Sequence, residues 1–170
     1  MKKGVPVTGM DLKLSSCTVL VHDPGKALAF YRDVLGFEVR SDTEFESMRW
    51  VSIGPPSQPG LDIVLMPPGA DQWASPADKQ ALADLMAKGL LGRLAFATDD
   101  CDQTFERIEA AGAEVMQEPI DQSCGVRDCA FLDPSGNMLR FAQALNRIPV
   151  PGLRSGQAPG RWRNGWMPLR

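Results

Sequence analysis

The chain has 170 residues, 18 Lys plus Arg against 21 Asp plus Glu, a formal net charge of -3, four cysteines and one histidine. That length suits a single compact domain, or two small halves sharing one core, burying roughly 70% of the unfolded surface without covalent staples. A hydrophobic share of 44% excludes a disordered chain, and no apolar run approaches the ~20 residues of a membrane span.

A unit of one strand, one helix and three strands occurs twice along the chain. Ser16 to His22 alternates and is rich in β-branched residues, which predicts a strand. Asp23-Pro24 then supplies an N-cap and a proline at the first helical position. Ala27, Leu28, Phe30, Tyr31, Val34 and Leu35 recur at helical spacing, and Gly36 ends the helix. Strands are expected over Phe37 to Ser41, Met48 to Ile53 and Leu61 to Met66, with a Gly/Pro-rich turn from Gly54 to Gly60 before the last. A short connecting helix follows, capped by Ser75, with Pro76 in its first turn, Leu82, Leu85 and Met86 on one face, and Gly89 as terminator.

The second unit begins with a strand over Arg93 to Thr98. Asp99-Asp100 caps a helix carrying Phe105, Ile108 and Ala111, and Gly112 stops it. Ala113 to Gln117 and Val126 to Leu132 are the next strands, and Asp133-Pro134-Ser135-Gly136-Asn137 turns tightly into the last, Met138 to Ala142. These elements predict an α+β domain over 12–143, made of a βαβββ module at 12–67, a helical linker at 68–91 and a second βαβββ module at 92–143. Residues 144–170 form a basic tail with Arg147, Arg154, Arg161, Arg163, Arg170, Trp162 and Trp166 and no acid. It is expected to pack as an arm over its own domain or a sister subunit rather than to contact nucleic acid or membrane.

Cys17, Cys101, Cys124 and Cys129 show no CxxC spacing, so a zinc-finger or thioredoxin-like site has no support. The opening residues carry two lysines with no apolar stretch behind them, unlike a secretory signal, and the expectation is four free thiols in the cytoplasm. Cys17 is expected in the core, and Cys124 and Cys129 flank a stretch that lets them meet across a turn.

Val21-His22-Asp23-Pro24-Gly25-Lys26-Ala27-Leu28-Ala29-Phe30-Tyr31-Arg32-Asp33-Val34-Leu35-Gly36-Phe37 resembles the opening strand and helix of the vicinal oxygen chelate superfamily. Asp133-Pro134-Ser135-Gly136-Asn137-Met138-Leu139-Arg140-Phe141 resembles its closing turn and strand. That superfamily includes glyoxalase I, bleomycin-resistance proteins, fosfomycin-resistance enzymes and extradiol dioxygenases. The resemblance implies two modules of curved mixed sheet around a pocket, with a homodimer by analogy. In the family's enzymes it also implies a divalent metal on His, Gln or Glu from the first and last strand of each module.

Those ligand positions fall here on Ser16, Val64, Arg93 and Arg140. Valine has no donor atom and arginine stays protonated, so no metal cofactor is expected. Two arginines in these places suit an anion instead, the alternative for each being a salt bridge to Asp62, Glu44 or Asp128. Alternation adds Thr18, Trp50 and Met66 to the pocket, with Trp50 and Met66 as a polarisable wall for a planar ligand. His22 is expected at the pocket mouth.

The expected function is metal-free binding of an aromatic or anionic small molecule, such as a natural product or antibiotic, in the manner of bleomycin-resistance proteins. The alternative is a glyoxalase- or dioxygenase-like enzyme with His22 beside Asp23 or Asp62 as its acid–base pair. A third possibility is an interaction module acting through its tail.

Overall fold

The computed structural model describes residues 11–45, 48–70 and 73–145. The arginines and tryptophans of the tail lie outside the described residues. Strand β1 (Ser16–Leu20) leads into helix α1 (Pro24–Ala29), which widens into a π-helical turn over Phe30–Val34. Asp23 caps α1 by accepting the N–H groups of Gly25 at 2.8 Å and Lys26 at 3.1 Å, and these donors hold its carboxyl below the usual carboxylate range. Gly36 ends the turn at φ 73°, where a side chain would be strained. Strands β2 (Glu38–Phe45), β3 (Met48–Gly54) and β4 (Asp62–Met66) complete the first module.

Helix α2 (Pro76–Ala87) is capped by Ser75 as expected, and the cap is reciprocal, Ser75 and Asp78 each bonding the other's backbone N–H. Only Met86 of its expected face is fully buried, and Leu85 is exposed. The second module runs β5 (Arg93–Ala97), α3 (Cys101–Ala110), β6 (Glu114–Gln122), β7 (Val126–Leu132) and β8 (Met138–Ala144). Strand β6 is longer than expected because Pro119 lies inside it, which an edge strand with irregular pairing accommodates.

Each module forms one mixed sheet of four strands, in the orders β1-β4-β3-β2 and β5-β8-β7-β6. The first and last strand of each module pair in parallel, and the remaining pairs are antiparallel. The pleat then sorts side chains between two faces. Val19, Val51, Ile53, Ile63 and Leu65 of the first sheet join Cys129, Phe131, Leu139 and Phe141 of the second in one core with α1 and α3. Rings continue across the modules: Phe37 meets Phe96 edge-on at 5.5 Å, and Phe96 stacks on Phe141 at 5.3 Å.

The turn from Asp133 to Asn137 clamps the modules together. The buried Asp133 carboxylate accepts the backbone N–H groups of Ser135 and Asn137, the Asn137 amide at 2.9 Å and the Tyr31 hydroxyl at 3.0 Å. Asn137 also donates to the Leu20 carbonyl at 2.9 Å, and Ser135 Oγ accepts the His22 N–H at 3.0 Å. Every donor in this cluster is taken out of water, so pairing each of them is what makes the burial tolerable.

The four thiols are free, as expected, but Cys124 and Cys129 do not meet across their turn, since Cys124 is exposed and Cys129 buried. The partner of Cys129 is Cys101, at the start of α3. Burial, then the neighbouring Cys101, pushes the Cys129 thiol up to about 12.

Candidate functional site

Each sheet has a second face, pointing away from the shared core. On the first sheet, register places Ser16 beside Asp62, Thr18 beside Val64 and Leu20 beside Met66, with Ser52 of β3 beside Val64. Trp50 stands two residues before Ser52 on the same side, paired with Thr43 of β2. Ser16 and Thr18 are exposed and Met66 is half-buried. Trp50 is 42% exposed, and Val64, diagonal to it beside Ser52, only 7%. The face therefore has an apolar floor, a hydroxyl row along β1 and β2, and one large flat side chain free to stack.

On the second sheet, Arg93 pairs with Met138 and Ala95 with Arg140, so the two arginines lie diagonally on adjacent strands of one sheet rather than on facing strands. Arg140 is not free. Its Nη1 bonds Asp128 Oδ2, one of the three partners expected for it. Asp128 is 4% exposed, and its other oxygen accepts Gln117 Nε2 at 2.8 Å and Gln122 Nε2 at 2.9 Å. This network offsets the charge of Arg140 and fixes the direction of its guanidinium. Arg93 is exposed, with no carboxylate partner among the described residues. Small Ala95 and Ala130 flank Arg140 on the neighbouring strands.

His22 is exposed, and only its backbone is tied down. The pairing with an acid expected for it does not form. Asp23 is occupied by the helix cap. Asp62 sits opposite Ser16 at the far end of β1, about 20 Å along the strand from position 22 at ~3.3 Å per residue. Among the described residues no group of three or more His, Cys, Asp or Glu is gathered as a cation would need. A hydroxyl, a hydrocarbon and two guanidiniums, one already ion-paired, do not fit a divalent metal at the family's ligand positions.

The faces, the two parallel first-to-last strand pairs and the repeated module order agree with one family model, which matches residues 13–141 and is described as the Glyoxalase/Bleomycin resistance protein/Dioxygenase superfamily. The chain belongs to this superfamily. Among solved structures it is similar to UcmS2, with 33% identity, a TM-score of 0.71, and coverage of 78% of this chain and 98% of that one. It is also similar to TnmS3, an antibiotic binding protein from Streptomyces sp. CB03234, with 26% identity, a TM-score of 0.62, and coverage of 80% and 99%. A "Probable lactoylglutathione lyase" of Vibrio cholerae serotype O1 is 30% identical over 128 residues, 72% of this chain and 84% of that protein.

Sequence reasoning missed the β6 side of the second face. Gln117 and Gln122 orient Asp128, and with Glu118, Pro119 and Ile120 they line an open cleft of about 500 Å³. Ending β6 at Gln117 had left these residues in a loop. Pro119 reads in sequence as a strand breaker, and only the edge position of β6, which the tertiary structure decides, lets the strand run through it. No helix among the described residues is long and apolar enough to cross a membrane.

Proposed function

We propose that this chain binds a planar aromatic or anionic small molecule, of the natural-product or antibiotic kind, without a metal. The observation that carries this is the first sheet's outward face, where the half-exposed Trp50 shares one side with Ser52, Val64 and Met66 and no reactive pair stands there. Similarity to an antibiotic binding protein supports it. Arg93 and Arg140 supply donors for an acidic or phenolic edge of the ligand, while Ser16 and Thr18 offer hydroxyls. His22, at the end of β1, borders the site without a chemical role.

One chain presents two half-sites, since both faces look away from the common core. A homodimer that sets the first sheet of one copy over the second sheet of the other would enclose ligand on both sides and bury the exposed faces. The four free thiols suit the cytoplasm, and neither nucleic acid nor membrane is part of the reading.

The test is a thermal-shift and tryptophan-quenching screen of the full chain against planar antibiotics and aromatic acids. A true ligand at about 100 times its Kd adds roughly 2.7 kcal/mol of stability, and Trp50→Ala weakens it by about tenfold, the loss of ~1.4 kcal/mol of stacking. A ligand whose affinity ignores both Trp50→Ala and Arg93→Ala, or a panel with no binder, overturns the proposal. The lyase-like relative favours one second reading, an enzyme of this superfamily. Turnover to lactoylglutathione by the chain incubated with zinc or nickel would establish it instead.

A further inference from the structure

Among the described residues no strand pairs with the outer side of β6 in the second sheet. β6 is the outermost strand in the order β5-β8-β7-β6 and departs twice from regular pairing with β7. It exposes 48% of Met116 and 52% of Ile120, and the open cleft lined by Gln117, Glu118, Pro119, Ile120 and Gln122 lies along it. A bare edge with apolar side chains invites pairing with foreign chains unless it is covered.

The described chain ends beside this edge. Leu145 donates its N–H to the Gly125 carbonyl at 2.9 Å, so the last described residue is tied to the turn that joins β6 to β7. The same end of the sheet holds the start of α3, because the Cys101 N–H bonds Gln143 Oε1 at 3.0 Å and the Thr98 N–H bonds the Ala142 carbonyl at 3.0 Å. Asp100, Asp102 and Asp121 therefore gather there, with Glu118 in the cleft. Arg127 bonds both Asp102 and Asp121 at 2.7 Å and offsets only part of this charge.

The sequence that follows is complementary. Residues 146–170 hold five arginines, two tryptophans and no acid, so the net charge of -3 divides into +5 on this segment and -8 on the rest. Its length is no obstacle. Twenty-five extended residues reach about 80 Å, whereas β6 spans about 30 Å.

We propose that residues 146–170 dock on the β6 edge of their own chain. Their arginines face the carboxylates of Asp100, Asp102, Glu118 and Asp121, and their apolar side chains, Trp162 and Trp166 among them, cover Met116 and Ile120. The tail is then the cover of the β6 edge, and its basic charge is neutralised within the molecule rather than on a nucleic acid or membrane.

The experiment places the photoreactive residue benzoylphenylalanine at position 120 of the full chain, where the side chain is already half-exposed. Irradiation is expected to yield a product of single-chain mass whose linked peptides come from 146–170. The yield should fall about threefold or more in 1 M salt, where the screening length is ~3 Å, and likewise in the Arg161→Glu, Arg163→Glu double variant. Products only at twice the chain mass would assign the edge to a second copy and overturn the proposal, as would links only to other segments or none at all. An unsubstituted chain provides the second measurement. Trypsin should cleave after Arg154, Arg161 and Arg163 at least about tenfold more slowly than in the free peptide 146–170, since docking must open before cleavage; equal rates overturn it.

Discussion

Tyr31→Phe isolates one bond of the clamp between the modules. The tyrosine ring is fully buried and meets Phe30 edge-on at 5.6 Å and Phe37 at 5.8 Å, contacts that phenylalanine keeps. What is lost is the hydroxyl bond to Asp133, one of four donors on a carboxylate only 4% exposed. A hydrogen bond to a charged acceptor contributes ~1.5–3 kcal/mol, and the site excludes a replacement water. Stability should fall by about 2 kcal/mol in urea unfolding at unchanged m, or ~4–8 °C in Tm for a chain of this size. The same variant tests pH dependence, because Tyr31 is the sole tyrosine. Burial first, and then Asp133, push its phenol far above the usual range. The fold thus favours the neutral form, and this contribution is full below the unfolded pKa of ~10 and lost as pH rises beyond it, at about 1.4 kcal/mol per pH unit. Wild-type stability should therefore decline more steeply above pH ~10 than that of Tyr31→Phe. A stability change under about 0.5 kcal/mol, too small for a bond to a charged acceptor, or phenolate absorbance in the folded chain near pH 10, the unperturbed value, would refute the reasoning.

Gly92→Ala should cost about 3 kcal/mol or more in urea unfolding, because a Cβ there would lie 1.6 Å from Asn137 Oδ1 and Asn137 is held by its own bonds. Arg140→Met should lose roughly 2 kcal/mol by leaving the buried Asp128 without its cation; no loss would show that the two glutamine amides suffice. A thiol reagent should modify exposed Cys124 rapidly and reach Cys101 and Cys129 only on unfolding. Since the Cys129 thiol is raised to about 12, its contribution is full below the unfolded pKa of ~8.5 and lost as pH climbs toward the folded value. The stability of Cys129→Ala should lack this decline.

Local chemistry alone carried the list of elements and the faces of the strands. Asp23-Pro24, Ser75-Pro76 and Asp100 start helices because their side chains satisfy backbone donors within a few residues. Alternation separated Val19, Ile63 and Leu65 from Thr18, Val64 and Met66 because a pleat sends neighbours to opposite sides. Tertiary structure decided what stands across each face. Asp133 reads in sequence as a turn residue, yet its carboxylate meets Tyr31 from 102 positions away, a relation no local pattern encodes. Arg140 could pair with any of several carboxylates until register brought Asp128 beside it, and the same register put Asp62 at the wrong end of β1 for His22. Strand periodicity specifies a side; only the packing of sheets specifies a neighbour.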